Sequence, residues 1–166
     1  MTDVATTDDL LQLDRQVCFA LAVTNRTVLT IYRPLLEPLG LTHPQYLVML
    51  ALWESSPRSV RAIGEVLMLD SATLSPLLKR LEAAGLLTRE RSSADERQLD
   101  VTLTTAGAEL RTQALAIPPA VVDTLGVSLA DLEDLREVLW RINTAAKAAG
   151  DKTTGDKTTG DKGMGR

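Results

Sequence analysis

One stretch in the middle of the chain constrains the fold more than any other. Two short helical patterns are joined at Asp70, and two β-type stretches follow them on either side of a charged loop. Asp70 carries the side chain of a good helix N-cap, and Gly85 suits the end of the second helix. The four elements are residues 59–69, 71–84, 86–91 and 99–103. This order predicts a winged helix-turn-helix, in which the second helix lies in the DNA major groove.

The start of the second helix is the part that faces base edges in such a module. Its N-terminal residues Ser71, Thr73 and Ser75 carry small hydroxyl side chains, which hydrogen-bond to bases or to phosphates. The predicted DNA-contacting residues are Asp70, Ser71, Thr73, Ser75, Lys79, Asp95 and Arg97. Between Arg58 and Arg97, seven basic and six acidic residues give a net charge of +1. Charge alone therefore leaves open whether this face binds DNA or is an ordinary solvated surface.

The segments before this module are predicted to be helical. Apolar residues at helical spacing, with no Gly or Pro before Pro34, predict one helix over residues 8–33. A Thr-x-x-Gln capping box at Thr42 opens the next helix. Its run from 46 to 53 is apolar on nearly every side, so we expect that helix to be buried all round.

The segments behind the module are also predicted to be helical. Thr104 or Thr105 opens a helix that runs to Ile117 and ends at Pro118-Pro119, and a last helix begins near Ser128. A small winged module does not need these flanking helices, so we expect them to bury their apolar stripes against a second copy in a C2 dimer. From residue 150 the chain repeats Gly, Asp, Lys and Thr, which predicts a disordered tail.

The fold class that follows is mostly α with a small β-hairpin wing. A hydrophobic share of 45% with only 3% aromatic residues indicates a core of Leu, Val and Ala, which favours helices. The predicted domains are an N-terminal dimerisation helix at 8–36, a winged helix-turn-helix DNA-binding domain at 42–104 with its recognition helix at 71–84 and its wing at 86–103, C-terminal dimerisation helices at 105–148, and the tail at 150–166.

Composition excludes several classes of function. One cysteine and one histidine in 166 residues rule out an intramolecular disulfide framework, a multi-cysteine zinc site and most histidine chemistry. No apolar run reaches the roughly 18 residues of a membrane span, and the N-terminus is acidic and polar. We therefore expect a cytoplasmic protein with no membrane partner, no metal, no cofactor and no enzymatic activity.

Several strings in this sequence resemble one family over residues 10 to about 145. They are VCFAL from Val17, YRPLL from Tyr32, LTHPQYLVML from Leu41, LDSATLSPLLKRLE from Leu69, and DER from Asp95. Together with the helix order and the wing, they resemble the MarR family of dimeric winged-helix transcription regulators, and within it the OhrR branch. That branch consists of repressors that sense organic hydroperoxides through a cysteine in the first helix.

The resemblance implies a sensor built around Cys18. In the branch, tyrosine hydroxyls hold the reduced thiolate by hydrogen bonds, and Tyr32 matches one of these positions. His43 stands where the pattern has a second tyrosine, and this is a departure because an imidazole differs from a phenol in reach and pKa. Tyr46 matches a further tyrosine of the pattern. The implied partners are palindromic double-stranded DNA, a second copy of the chain, an organic hydroperoxide and a small thiol.

Helix geometry adds a constraint on this sensor. Cys18 and Tyr32 are 14 residues apart, which puts them on nearly the same face of one helix but separates them by roughly 21 Å along its axis. If that helix is unbroken, a contact between them requires the partner subunit. Because the chain has one cysteine, a sulfenic acid on Cys18 must react with a small cellular thiol or be overoxidised.

Three other interpretations of the sequence are open. In the first, the protein is a MarR-type repressor that a small phenolic or aromatic-acid ligand releases from DNA, and Cys18 is an inert apolar residue. Alternatively, Cys18 and His43 serve as nucleophile and base of a thiol-dependent enzyme, although no third orienting group or oxyanion-hole motif is present. The last is a helical interaction protein without a DNA role, which would show no salt-dependent binding to a duplex.

Overall fold

A computed structural model describes residues 11–92 and 97–155, with side chains described up to residue 149. The chain divides into two compact units between Thr124 and Leu125. Seven helices and three strands are present in the described part of the chain. They are α1 Val17–Leu36, α2 His43–Glu54, β1 Arg58–Ser59, α3 Val60–Leu67, α4 Ser71–Ala83, β2 Leu87–Arg91, β3 Leu99–Leu103, α5 Thr105–Ala114, α6 Ile117–Leu125 and α7 Leu129–Gly155.

Helix α1 differs at both ends from the helix predicted over residues 8–33. It begins at Val17, because a 3-10 turn over Leu13–Arg15 leads into extended backbone at Gln16 (φ −84°, ψ 118°). It continues through Pro34 to Leu36. A proline in the last turn removes a single helical hydrogen bond, and Leu36 is 1% exposed, so burial offsets that loss. Residues 8–10 of the predicted helix lie outside the described residues.

Helix α2 forms the centre of the core. The capping box is confirmed, since the Thr42 backbone N–H donates to Gln45 Oε1 at 2.8 Å. Val48, Met49 and Leu52 are buried, as expected from the apolar run. The expectation of burial on every side is wrong at Leu50, which is exposed because α2 packs against α1, α3, α4 and α5 but leaves that position uncovered in the chain.

The helix-turn-helix is confirmed in α3 and α4. Ser59 caps α3 by accepting a hydrogen bond from the Ala62 N–H, and Asp70 caps α4 by accepting one from the Thr73 N–H at 2.7 Å. Met68 takes the left-handed conformation between them, with φ of 54°. The inner stripe of α4 is buried as predicted, at Leu74, Leu78 and Leu81.

The wing is a three-stranded antiparallel sheet in the order β1-β3-β2. Strands β2 and β3 match the predicted hairpin within one residue, with Leu87 opposite Leu103 and Arg91 opposite Leu99. The sequence did not predict β1, because two residues are too few to show an alternating pattern. Its Arg58 pairs with Val101, so the sheet is joined to the start of α3.

Two predicted boundaries behind the wing are wrong. Pro118 and Pro119 do not end a helix but lie in the first turn of α6, where a missing N–H costs little. The helix before them, α5, already ends at Ala114. The backbone of α7 continues to Gly155, six residues into the predicted disordered tail, because each residue added to a long helix contributes another hydrogen bond. Residues 156–166 of that tail lie outside the described residues.

The second unit is dominated by α7, which begins as predicted beside Ser128, whose hydroxyl accepts a hydrogen bond from the Asp131 N–H. Large apolar side chains along it are 39–60% exposed in the single chain: Leu129, Leu135, Val138, Trp140 and Ile142. Within the described ranges, no single helix is long and apolar enough to cross a bilayer. In the same ranges, the segments Thr105–Leu125 and Leu129–Ala149, which are separated by a sharp bend, reach the length and apolar composition of a membrane span when they are counted together.

Candidate functional site

Cys18 lies in the first turn of α1 as an exposed free thiol. The large side chains around it in sequence are apolar and accessible, with Val17 65%, Phe19 36% and Leu21 41% exposed. A thiol in such a setting is accessible to solutes in the single chain. The sequence therefore placed the cysteine correctly on the first helix, and the structure adds that its neighbourhood is uncovered.

Tyr32 belongs to an aromatic cluster at the other end of α1. Its ring meets the His43 ring edge-on at 4.9 Å between centroids, and the Tyr46 ring lies 6.2 Å from it. Tyr46 in turn stacks edge-on with Trp53 at 6.2 Å. The three pocket residues named from the family pattern thus come together in one chain.

Trp53 is a member of this cluster that sequence reasoning missed. Its indole Nε1–H donates to the Gly107 carbonyl at 2.8 Å, which ties α2 to α5. The available signal was its spacing, since Trp53 follows Tyr46 by seven residues and so lies on the same face of α2.

Burial sets the protonation of the cluster. It raises the pKa of Tyr32 and of Tyr46. Repulsion from the ionised form of Tyr32 raises the pKa of Tyr46 further. Both phenols are therefore protonated at neutral pH and can donate hydrogen bonds. Burial lowers the pKa of His43, so its imidazole is neutral at the same pH and can accept a hydrogen bond as well as donate one.

The structure does not bring Cys18 to this cluster within one chain. α1 runs unbroken from Val17 to Leu36 and carries both Cys18 and Tyr32. The two residues are therefore separated by roughly 21 Å along the helix axis, as expected for an unbroken helix. Because His43 is packed against Tyr32, it is also far from Cys18 of the same chain. A thiol enzyme with Cys18 and His43 paired within one subunit is therefore not what this geometry supports.

A cleft of about 560 Å³ opens beside the cluster, between the second half of α1 and the start of α2. Its lining combines three leucines and a glycine with four charged or polar residues, and consists of Leu29, Arg33, Leu36, Glu37, Gly40, Leu41, Thr42 and His43. A smaller cleft of about 340 Å³ lies farther along α2 and includes Tyr46, Leu50 and Trp53. His43 thus borders the larger cleft, and Tyr46 and Trp53 border the smaller one, in the single chain.

The predicted DNA-reading residues lie on the first turns of α4. Ser71, Thr73 and Lys79 are exposed, whereas Ser75 is half-buried. Asp70 is exposed but its carboxylate is engaged as the helix cap, and the hydrogen bond from the Thr73 backbone lowers the pKa of this carboxyl. Asp70 therefore positions the start of α4, while the hydroxyls and Lys79 offer the groups that reach outward.

The wing contributes Arg97, which is exposed just before β3. Asp95, the other predicted wing residue, lies outside the described residues. An ion pair that sequence reasoning missed fixes the wing to α4: the Arg89 guanidinium donates to Glu82 Oε2, at 3.0 Å from Nε, and this contact lowers the pKa of the Glu82 carboxyl. No local pattern in the sequence marks this pair, because it joins two different elements.

No group of three or more His, Cys, Asp or Glu side chains that could hold a metal ion occurs in residues 11–92 and 97–149. The reactive groups of the candidate sensor are therefore one thiol, two phenols and one imidazole. The helix-turn-helix and the wing add hydroxyl and basic groups.

Known proteins resemble this chain both in sequence and in fold. A family model described as transcriptional regulator SarA/Rot matches residues 30–113. The organic hydroperoxide resistance transcriptional regulator of Bacillus subtilis is 42% identical over 134 residues, which cover 81% of this chain and 91% of that protein. Two solved structures of AbfR, a protein of Staphylococcus epidermidis, also match. Reduced AbfR bound to DNA has a TM-score of 0.73 at 34% identity, covering 87% of this chain and 99% of that one. Overoxidized AbfR bound to DNA has a TM-score of 0.66 at 36% identity, covering 82% and 99%.

Proposed function

The chain belongs to the MarR-type winged-helix transcriptional regulators of the SarA/Rot family, and from this premise we propose that it is a homodimeric, cytoplasmic repressor that senses organic hydroperoxides. In the reduced state the dimer binds palindromic double-stranded DNA. Oxidation of Cys18 at the dimer interface then releases the DNA. The Bacillus relative, whose name refers to organic hydroperoxide resistance, supports this class of signal.

The observation that carries the proposal is the placement of Cys18 and Tyr32 on one unbroken helix. The thiol is exposed at one end of α1, and at the other end Tyr32 and His43 are half-buried beside the buried Tyr46. Two α1 helices crossing in an antiparallel sense would bring each thiol to the partner's cluster. A sensor built in this way couples the chemistry of one sulfur to the relative position of two subunits.

The exposed apolar side chains support a dimer. Within each compact unit, long helices present large apolar residues to solvent, among them Val17 and Leu21 on α1 and Leu135 and Ile142 on α7. Contiguous apolar surface of this kind marks an association surface on a folded protein. A C2 dimer covers the same patch on both copies and supplies two α4 helices for the two halves of a palindromic site.

The proposed chemistry starts with the thiolate of Cys18. Its sulfur attacks the hydroxyl oxygen of the hydroperoxide, an S–O bond forms, the O–O bond breaks, and the alkoxide takes a proton and leaves as an alcohol. A small thiol then condenses with the sulfenic acid, giving a mixed disulfide and water. An unperturbed cysteine is only about 3% thiolate at pH 7, so hydroxyl donors such as Tyr32, with His43 and Tyr46 beside it, have the role of stabilising the charged form.

We infer that the mixed disulfide, and not the added oxygen, releases the DNA. AbfR is described both reduced and overoxidized in complexes with DNA, so overoxidation is compatible with DNA binding in that protein. A mixed disulfide places a whole additional molecule at an interface that is close-packed, and protein interfaces respond to such added volume by shifting.

In the DNA complex, the residues of the module have separate roles. Asp70 holds the first turn of α4 in place, and Ser71, Thr73 and Ser75 are proposed to contact base edges. Lys79 and Arg97 neutralise backbone phosphates. Asp95 stands two residues before Arg97 in the wing sequence and is proposed as part of the same contact.

The experiment is a DNA-binding titration with the purified full-length protein and a duplex from the region upstream of its own gene. Binding is measured for the reduced protein, after cumene hydroperoxide alone, and after cumene hydroperoxide followed by a small thiol, for wild type and Cys18→Ser. The proposal predicts loss of binding in the third condition for wild type and unchanged binding for Cys18→Ser. Equal binding by both proteins in all three conditions contradicts redox sensing.

The same titration distinguishes the main alternative. A repressor with an inert Cys18 would bind the duplex in all redox conditions and release it on addition of a small aromatic acid such as salicylate. Release by salicylate from both wild type and Cys18→Ser, without any effect of peroxide and thiol, would identify that class.

A further inference from the structure

A groove between α3 and the base of the wing is lined by two arginine residues. It measures about 360 Å³ and is lined by residues from the start of α3 and from the segment leading into β3: Ser59, Val60, Arg61, Arg97, Gln98 and Leu99. Two guanidinium groups from different elements thus line one groove, and none of the lining residues is acidic. Asp100, on the adjoining strand opposite Ser59, is not among them.

Arg61 is not placed to stabilise its own helix. It is the second residue of α3, where a positive side chain opposes the helix dipole. Its ion pair with Glu65, 2.8 Å between Nε and Oε1, has the basic residue on the N-terminal side, which is the weaker orientation. Both side chains are largely exposed, at 83% and 63%, so water screens the pair. Arg61 therefore opposes the helix dipole without gaining a strong ion pair, and such an unfavourable position is typical of a residue that binds a partner.

We propose that this groove binds one backbone phosphate of duplex DNA, with Arg61 as its contact from α3 and Arg97 as its contact from the wing. The inference rests on the proposed DNA-binding function and adds to it a residue that neither the sequence pattern nor the family resemblance marked. Each dimer would have two such grooves, one for each half of the DNA site.

The chemistry of the groove suits a phosphate. A guanidinium donates two parallel N–H groups to a pair of phosphate oxygens. The ion pair between Arg61 and Glu65 is exposed to solvent, so Arg61 can leave Glu65 for a phosphate at low cost. The apolar side chains of Val60 and Leu99 line the same groove and lower the local dielectric constant, which strengthens the attraction between guanidinium and phosphate. Phosphate contacts at α3 and the wing would fix the register in which α4 enters the major groove.

The test measures the salt dependence of DNA binding for Arg61→Ala in the full-length, reduced protein. Two duplexes are used, the region upstream of the protein's own gene and a scrambled duplex of the same length and composition. Because two phosphates are lost per dimer, the slope of log K against log salt should become shallower by about 2. Affinity near 0.15 M salt should fall by roughly tenfold on both duplexes, since phosphate contacts carry no sequence information.

Three matched variants sharpen the result. Arg111→Ala removes the same charge from an exposed position of α5 and should leave the slope unchanged. Arg61→Lys keeps a point charge in the groove and should recover most of the slope. Glu65→Gln removes the competing carboxylate inside the chain and should raise affinity by a few-fold without making the slope shallower.

The outcomes separate this inference from the function on which it rests. If wild type binds and Arg61→Ala behaves like Arg111→Ala, the phosphate site is wrong and the proposed function stands. If Arg61→Ala weakens binding to the upstream duplex alone, Arg61 reads sequence and the phosphate site is again wrong. If reduced wild type binds neither duplex, the proposed function fails and this inference fails with it.

Discussion

In the proposed sensor, three side chains act on the lone cysteine. Tyr32, His43 and Tyr46 form one cluster, and burial keeps the phenols protonated and the imidazole neutral near pH 7. Neutral donors are useful beside a thiolate, because a hydrogen bond to a charged acceptor is stronger than one to a neutral group. The cluster can therefore stabilise an anion without carrying charge of its own.

The first prediction at this scale concerns Tyr32. Tyr32→Phe removes one hydroxyl donor and should slow the reaction of Cys18 with cumene hydroperoxide by about tenfold or more, since a hydrogen bond to a charged group contributes about 1.5–3 kcal/mol. The rate is measured by mass spectrometry of the quenched protein. Thr30→Val, on the same helix with its hydroxyl bonded to the Thr27 carbonyl, is the control and should react at the wild-type rate. Equal rates for all three proteins would contradict a role for Tyr32.

His43 gives a prediction about pH. Burial holds the pKa of His43 below its ordinary value in the folded chain, so the unfolded chain binds the proton first as pH falls. The stability contributed by the neutral ring is therefore complete above about pH 6.5 and is lost as pH falls below it. Wild type should lose stability relative to His43→Gln between pH 7 and pH 5, in urea unfolding at one fixed protein concentration. Parallel curves for the two proteins would contradict the burial of His43.

At the scale of elements, local chemistry made much of the fold predictable. The capping box at Thr42 and the N-caps at Asp70 and Thr104 are complete within four residues of sequence, and the helices begin where these residues predict. The helix boundary predicted at Pro118 and Pro119 is wrong because it depends on residues farther along the chain. Pro118 and Pro119 can end one helix or begin the next, and the sequence pattern does not distinguish these roles.

The site shows the same division. The residues of the sensor cluster could be named from their strings, but the Trp53–Gly107 hydrogen bond and the Arg89–Glu82 pair could not, because each joins elements that only the fold brings together. Likewise, strand β1 exists because Arg58 pairs with Val101, which is far away in the sequence.

An element-scale prediction follows from Gly107, where α5 packs on the turn that precedes β2. A Cβ at this position would lie 1.9 Å from the Leu86 carbonyl oxygen, so backbone must move to accommodate it. Gly107→Ala should destabilise the protein by about 1–3 kcal/mol, measured by urea unfolding. Ala108→Ser, at the exposed neighbouring position, should change stability by no more than about 0.5 kcal/mol. A Gly107→Ala variant as stable as wild type would contradict this packing.

At the scale of the whole molecule, the exposed apolar side chains of the helices offer a surface on which the proposed dimer would form. The first half of α1 presents Val17 and Leu21 one turn apart on the face nearest Cys18, and neither is covered in the single chain. Burying such residues against a second copy contributes roughly 25 cal/mol for each Å² of apolar surface. Dimerisation and sensing are therefore expected to depend on the same surface.

Leu21→Asp tests this dependence. A carboxylate in the apolar interface cannot be buried without a partner, so the variant should shift from dimer to monomer in sedimentation velocity and lose DNA affinity. Thr27→Asp introduces the same charge at an exposed position about 120° away around α1 and should remain a dimer. A dimeric Leu21→Asp protein would place the interface elsewhere.

The central claim is that each sensor site is assembled from two subunits, and mixed dimers test it most directly. A heterodimer of one Cys18→Ser subunit and one Tyr32→Phe subunit, carrying two different affinity tags, is purified and treated with cumene hydroperoxide. If the site lies across the interface, the remaining Cys18 faces an intact Tyr32 on the other subunit and should be oxidised at the wild-type rate. If that cysteine reacts as slowly as in the Tyr32→Phe homodimer, Cys18 and Tyr32 act within one chain, and a sensor site shared between subunits is contradicted.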